Sequence, residues 1–263
     1  MGKGYIYVYY QIIAFIYIVR KEGVLVNIAI IFAGGAGKRM HSKDRPKQFL
    51  LVHGKPIIVH TIEIFQYHEE IDGIVVACLE DWIPYMEEMK YRYRLDKIGK
   101  IVPGGATGQL SIYNGVKAAA KLYGTEDNIV LIHDGVRPLI DEKIIHENIA
   151  GVKKYGSAVT CAPAQETFVV IDEEGNITDV EERKYSRLAK APESFWLKEL
   201  LDVEEQAIRE GHTEMIDSCT LMRAYGRKMH IVDCSYENIK VTTPNDFYTF
   251  RALYDAKENQ QLL

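Results

Sequence analysis

The chain has no Cys-x-x-Cys pair and no His-Glu-x-x-His run anywhere in its 263 residues. Its four cysteines (Cys78, Cys161, Cys219 and Cys234) stand far apart, so neither a zinc ribbon nor a redox dithiol is encoded. A chain this long buries enough core to do without disulfides, and reduced thiols in a cytoplasmic setting are expected. Positive charge is not in surplus either. A net charge of −5 argues against a general nucleic-acid binder, which carries a basic face. Two familiar nucleotide loops are missing as well. In "IIFAGGAGKRM" (residues 30–40) Phe32 stands where a P-loop needs its first glycine, and Arg39 where it needs Ser or Thr. Met40 takes the place of the third glycine of a dinucleotide-binding turn. An NAD-dependent oxidoreductase also needs an acidic residue about 20 residues further on, at the end of a second strand. Glu80 and Asp81 come too late to serve.

Long apolar runs are scarce too. "YIYVYYQIIAFIYIV" (residues 5–19) falls short of the roughly 20 residues a spanning helix requires, and no small-residue cleavage site follows it. Its aromatic and β-branched content reads as strand. Residues 1–26 are therefore expected to be an apolar extension outside the fold, with any membrane contact confined to residues 5–19, and residues 27–263 to form the domain.

What is present alternates. "NIAIIFA", "DGIVVAC", "GKIV" and "NIVLIHD" have the length and branching of buried parallel strands. Helix-period segments separate them: "IVHTIEIFQYH", "WIPYMEEMKYRYR", "LSIYNGVKAAAKLYG" and "DEKIIHENIAGVKKYG". Such a βαβ series predicts a mostly parallel twisted sheet with helices on both faces, continuing into the strand "SAVTCAPA". After it, "TFVVIDEEGNITDVEERKY" reads as two extended runs about a Glu-Gly-Asn turn, a projecting hairpin.

Ligands of such sheets bind beyond the carboxyl ends of strands, so the loops there carry the chemistry. In "AGGAGKRM" glycines let backbone amides approach a phosphate, and Lys38 and Arg39 add charge. "PGGATGQLS" (residues 103–111) is a second glycine-rich turn opening a helix, where amides and the Ser111 hydroxyl can meet an anion or a base edge. "HDGVRP" (residues 133–138) sets Asp134 at the end of an apolar strand, ready for sugar hydroxyls, a metal or a cation. In "RPKQFL", Lys47 follows the first loop closely on a proline-stiffened approach and suits a phosphate. Singly, each has an ordinary structural explanation. Together, at one sheet edge, they point to a nucleotide site.

"AGGAGKRM…PKQFL", "GG…S…NGV", "HDGVRP" and "ENIKVTTPNDF" closely resemble, in order and spacing, the cytidylyltransferases that act on 2-C-methyl-D-erythritol 4-phosphate or ribitol 5-phosphate. The resemblance runs from about Asn27 to about Ala256. It implies an α/β, Rossmann-like nucleotidyltransferase fold and Mg2+ bound mainly through CTP phosphates, with no protein metal site. It further implies transfer of CMP from CTP to a polyol phosphate, with release of pyrophosphate. By resemblance, Arg39 and Lys47 act on the reacting phosphates, and Ala33, Gly34 and Gly35 line the triphosphate. Gly105, Ala106 and Ser111 hold the cytosine, and Gly135 the ribose. Asp134, Thr167, Arg183 and Lys240 serve the acceptor. The resemblance also implies a homodimer, clasped by an arm over residues 163–190 that carries Thr167 and Arg183 to the neighbour's site. Arg39, Lys47 and Asp134 are intact, which argues against a homologue that only binds nucleotide.

The departures fall mainly on the acceptor side. "APESF" (residues 191–195) replaces the family's Thr-Pro-Gln-x-Phe, so Glu193 stands for an amide. Ile216–Asp217 replaces Thr-Asp, and Gly108 takes the place of a usual arginine. Ribitol 5-phosphate, or a related precursor of a surface polymer, is accordingly the expected acceptor. Methylerythritol phosphate, an isoprenoid precursor, is the alternative.

Overall fold

A computed structural model describes residues 25–35, 40 and 45–260. The apolar run at 5–19 and the loop cation Arg39 lie outside the described residues. The first strands are β1 (Asn27–Ala33), two short strands β2 (Leu51–Val52) and β3 (Lys55–Pro56) after the first loop, β4 (Gly73–Cys78), β5 (Ile98–Pro103), β6 (Ile129–Asp134) and β7 (Ser157–Pro163). Of these, β2 and β3 were not legible. The helices between them are α1 (Ile57–Tyr67), α2 (Ile83–Arg92), α3 (Gly108–Tyr123) and α4 (Glu142–Tyr155). The hairpin forms as β8 (Val169–Ile171) and β9 (Ile177–Val180), turning at Gly175 with φ 88°. Then come β10 (Arg187–Trp196), α5 (Leu197–Arg209), α6 (Ser218–Ala224), β11 (Ile231–Asp233) and α7 (Pro244–Gln260).

Seven strands form one sheet in the order β11-β7-β10-β6-β1-β4-β5. All neighbours run parallel except β10, which is antiparallel to both β6 and β7. Alternation along β1 shows why both faces are covered. Ala29 and Ile31 pack with Ile58, Ile62 and Phe65 of α1, Met86 of α2 and Ile145 of α4. Ile28 and Ile30 pack on the opposite face with Ile112 and Val116 of α3, Leu200 of α5 and Leu221 of α6. A third cluster joins Met40, Val52, Ile57, Val136, Val241 and Phe250, so α7 closes over the loop end of the sheet.

The amino-terminal boundary shifts by two residues. Val26 is buried and Leu25 packs on the core. The Val26 amide donates to Asn128 Oδ1 at 3.0 Å, and its carbonyl accepts from the Ile129 amide at 3.0 Å. Both residues assigned to the extension therefore belong to the domain.

Candidate active site

Strand register sets the site. Phe32 pairs with Asp134, Ala33 with Cys78, and Cys78 with Pro103, so the loops after β1, β5 and β6 open level with one another. The first two meet closely. A Cβ on Gly34 would lie 2.7 Å from Ser111 Oγ, and one on Gly104 would lie 3.3 Å from the Gly34 Cα. Neither loop could approach so near with a larger residue at Gly34. The third loop docks on the first, because Gly135 sits where a Cβ would come within 3.0 Å of Ala33 Cβ. The Gly135 amide donates to the Phe32 carbonyl at 2.9 Å.

Ser111 shapes the second loop from within. Its hydroxyl accepts from the Gly105 amide at 3.0 Å and donates to the Thr107 carbonyl at 2.8 Å. Thr107 caps α3 by accepting from the Leu110 amide at 3.1 Å. Gly35 and Ala106, by contrast, stand exposed at the loop tips.

Lys47 opens a short 3-10 turn, Lys47–Phe49. Its neighbour Gln48 is buried and donates to the carbonyls of Ala33 (2.7 Å) and Gly35 (3.3 Å), stapling the turn to the first loop. The lysine is thereby fixed relative to the glycines, and its charge also reaches Asp246 at the start of α7. Sequence reading took the lysine from "PKQF" and missed the glutamine that places it.

Around Asp134 the structure gathers more cations than were expected. Its carboxylate accepts from Lys240 Nζ at 2.5 Å and Arg137 Nε at 2.8 Å. Burial pushes its pKa up, but Lys240 and then Arg137 outweigh that and hold it at about 2, so it stays ionised. Lys240 also lies over the Phe32 ring at 5.8 Å. Arg137 Nη1 donates to the Asn238 carbonyl at 3.0 Å, which also accepts from Lys190 Nζ at 2.9 Å. His133 lies fully buried behind this group, with Nε2 3.1 Å from the Arg137 carbonyl, and burial lowers its pKa to about 4. A neutral imidazole thus pins the turn carrying Arg137, whose amide donates to the Asp134 carbonyl at 3.2 Å. Two cations hold the Asp134 carboxylate, and a third, Lys190, shares the Asn238 carbonyl with Arg137, a cluster of charge suited to a dianionic phosphate that bears hydroxyls. Arg137 and Lys190 were missed, although "HDGVRP" contained the first.

Thr167 and Arg183 stand together on the arm, with Nη2 3.4 Å from Oγ1, both in solvent. The two arm strands pair with each other and not with the main sheet. They leave Val169, Val170, Ile171, Ile177, Val180 and Tyr185 exposed. The cysteines are free thiols, and burial raises Cys78 and Cys161 to about 11. Among the described residues no helix is long and apolar enough to cross a membrane.

The family model IspD, 2-C-methyl-D-erythritol 4-phosphate cytidylyltransferase, matches residues 27–255. A ribitol-5-phosphate cytidylyltransferase of Streptococcus agalactiae serotype V is 55% identical over 238 residues, covering 90% of this chain and 99% of its own. A 2-C-methyl-D-erythritol 4-phosphate cytidylyltransferase of Clostridium botulinum is 37% identical over 220 residues, covering 84% and 93%. Among solved structures, the 4-diphosphocytidyl-2C-methyl-D-erythritol synthase of Anaerococcus prevotii superposes with a TM-score of 0.76 at 25% identity, over 88% of this chain and 96% of that one.

Proposed function

The chain belongs to the 2-C-methyl-D-erythritol 4-phosphate cytidylyltransferase family and is a CTP-dependent nucleotidyltransferase acting on a polyol phosphate, and from that premise we propose that its acceptor is ribitol 5-phosphate. The observation that carries this choice is the likeness of 55% to a ribitol-5-phosphate enzyme, against 37% to a methylerythritol-phosphate enzyme.

An oxygen of the acceptor phosphate, already anionic, attacks the α-phosphorus of CTP. A new phosphorus–oxygen bond forms as the bond to the β-phosphate breaks, and pyrophosphate leaves. Two anions must be brought together, so the protein aligns and neutralises and abstracts no proton. Arg39 and Lys47 act on the reacting phosphates, while Ala33, Gly34 and Gly35 present backbone to the triphosphate. Gly105 and Ala106 meet the cytosine on the loop that Ser111 shapes, and Gly135 faces the ribose. Arg137, Lys190 and Lys240 draw in the acceptor phosphate, and Asp134 meets its hydroxyls. The donor set fits Mg2+ carried on the nucleotide: both Asp134 oxygens are engaged by Lys240 and Arg137, which leaves the phosphates as the main ligands. Bound there, Mg2+ would supply positive charge to the triphosphate.

The active unit in this proposal is a homodimer in the cytoplasm. A two-stranded hairpin is marginal alone in water, and the exposed apolar side chains of β8 and β9 suit a second copy of the chain. The partner's arm then delivers Thr167 and Arg183 to the acceptor pocket.

CTP is expected to be strongly preferred over ATP, GTP and UTP. The loop proposed to hold the base is fixed by Ser111 and by its close approach to Gly34, and a base with the wrong edge would leave buried groups unpaired at about 1–3 kcal/mol each. Initial rates with the four nucleotides check this, and equal turnover of ATP would refute it. The acceptor is tested by offering polyol and sugar phosphates with CTP and Mg2+ and following pyrophosphate. Ribitol 5-phosphate is expected to give the highest kcat/KM.

A further inference from the structure

Glu193 is a carboxyl where the resembling family carries an amide, and it is only 6% exposed. Its position follows from register. Glu193 of β10 pairs with Ile132 of β6, and Asp134 is two residues further along β6. The two carboxyls therefore project from the same face of the sheet, Glu193 one step deeper. On that face the amino end of α6 comes down on Glu193. The Cys219 amide donates to Glu193 Oε2 at 2.9 Å, and the Ser218 amide donates to the same carboxyl. Asp217, the cap of α6, accepts from the Thr220 amide at 2.7 Å and stands close enough for its charge to act on Glu193. Ile216, the neighbouring departure from the family pattern, is 87% exposed and turned to solvent.

We propose that Glu193 determines acceptor selectivity: with Asp134 and Asp217 it lines the deep end of the acceptor pocket with carboxyls that pair with the hydroxyls of a straight-chain polyol phosphate and disfavour a methyl branch. The proposal rests on the ribitol reading given above and explains it chemically. A hydroxyl satisfies a buried carboxyl, whereas a methyl group in the same place leaves it desolvated and unpaired.

The environment supports a neutral Glu193 at pH 7. Burial, then Asp217, pushes its pKa up against the pull of the Cys219 amide; Asp134 adds to the rise, the Ser218 amide opposes it, and the result is about 8. The groups facing it are few. Asp134 of β6 comes with its partners Arg137 and Lys240, and Asp217 comes from the start of α6. The thiols of Cys161 on β7 and Cys219 on α6 are raised by burial to about 11 and 12 and stay neutral throughout. A protonated Glu193 accepts the α6 amides through its carbonyl oxygen and offers an O–H to a hydroxyl of the acceptor. Above pH 8 it ionises beside Asp134 and Asp217, so the pocket gains negative charge and holds an anionic acceptor less well.

The test compares the full-length protein with Glu193→Gln, near-isosteric and able to accept the same amides. CTP and Mg2+ are held fixed against ribitol 5-phosphate, erythritol 4-phosphate and methylerythritol 4-phosphate. Glu193→Gln is expected to lower the ratio of kcat/KM for ribitol 5-phosphate over methylerythritol 4-phosphate at least tenfold, with KM for CTP within twofold of wild type. Erythritol 4-phosphate, which lacks the methyl branch, should be used better than its methylated counterpart by wild type. In wild type KM for ribitol 5-phosphate should rise as pH climbs through 8 while KM for CTP stays level, and this rise should vanish in the variant. An unchanged acceptor ratio, or an equal loss on every acceptor, overturns the proposal and leaves Glu193 as a structural cap for α6. If Glu193→Gln does not fold, the wild-type pH series decides, and a level acceptor KM overturns the proposal. The ribitol reading fails separately, on wild type alone, if methylerythritol 4-phosphate is preferred.

Discussion

Lys47→Ala is expected to lower kcat by about 10²-fold or more while changing KM for CTP little. The reason is where the lysine acts. Charge grows on the α-phosphate and on the departing pyrophosphate as the reaction proceeds, and a donor aimed at developing charge affects the transition state more than the bound substrate. The Gln48 staple to Ala33 and Gly35 fixes the turn bearing Lys47, so the amine is preorganised. Steady-state kinetics with saturating acceptor measure the effect. A wild-type kcat in Lys47→Ala would reduce the residue to a loop cation with structural partners.

The second large effect belongs to Arg183. Under the shared-site proposal Arg183→Ala is nearly inactive, although the side chain is exposed on an arm whose strands pair only with each other. Within one chain, an exposed arginine contributes under about 1 kcal/mol through surface pairing, too little for such a loss. Mixing separates the explanations. Lys47→Ala and Arg183→Ala chains refolded together pair at random, and each mixed dimer has one site in which both residues are native. Activity should recover toward about a quarter of wild type per site in closed two-fold dimers. A mixture as inactive as its parents, or a wild-type protein that sediments as a monomer, contradicts a site completed across two chains.

Much of the sheet was legible because its inner strands are covered on both faces. Such strands must be apolar throughout, and "NIAIIFA" and "NIVLIHD" match β1 and β6 residue for residue or nearly so. Strand β10 was not legible. Its sequence, "RLAKAPESFW", carries a proline and a glutamate, and it accommodates them through a register shift between Ala189 and Glu193 against β7. The three loops stood out because glycine is required where backbones nearly touch, as at Gly34 and Gly104. The cations around Asp134 were harder to foresee. Arg137 meets Asn238 across 101 residues of sequence, and Lys190 meets the same carbonyl across 48. Spacing along the chain carries no signal for contacts that only the insertion of β10 beside β6 brings about. Glu193 was visible as a departure, but its burial and its contact with α6 follow from that same insertion.

The central claim is that this chain joins CMP to ribitol 5-phosphate, and a competition in one tube tests it most directly. Equal concentrations of ribitol 5-phosphate and methylerythritol 4-phosphate are offered with limiting CTP and Mg2+, and the two CDP-polyols are separated and quantified by mass. The ratio of products equals the ratio of the two kcat/KM values. CDP-ribitol is expected in more than tenfold excess, with one pyrophosphate released per product formed. A methylerythritol product in equal or greater amount, or pyrophosphate released without either product, would contradict the claim.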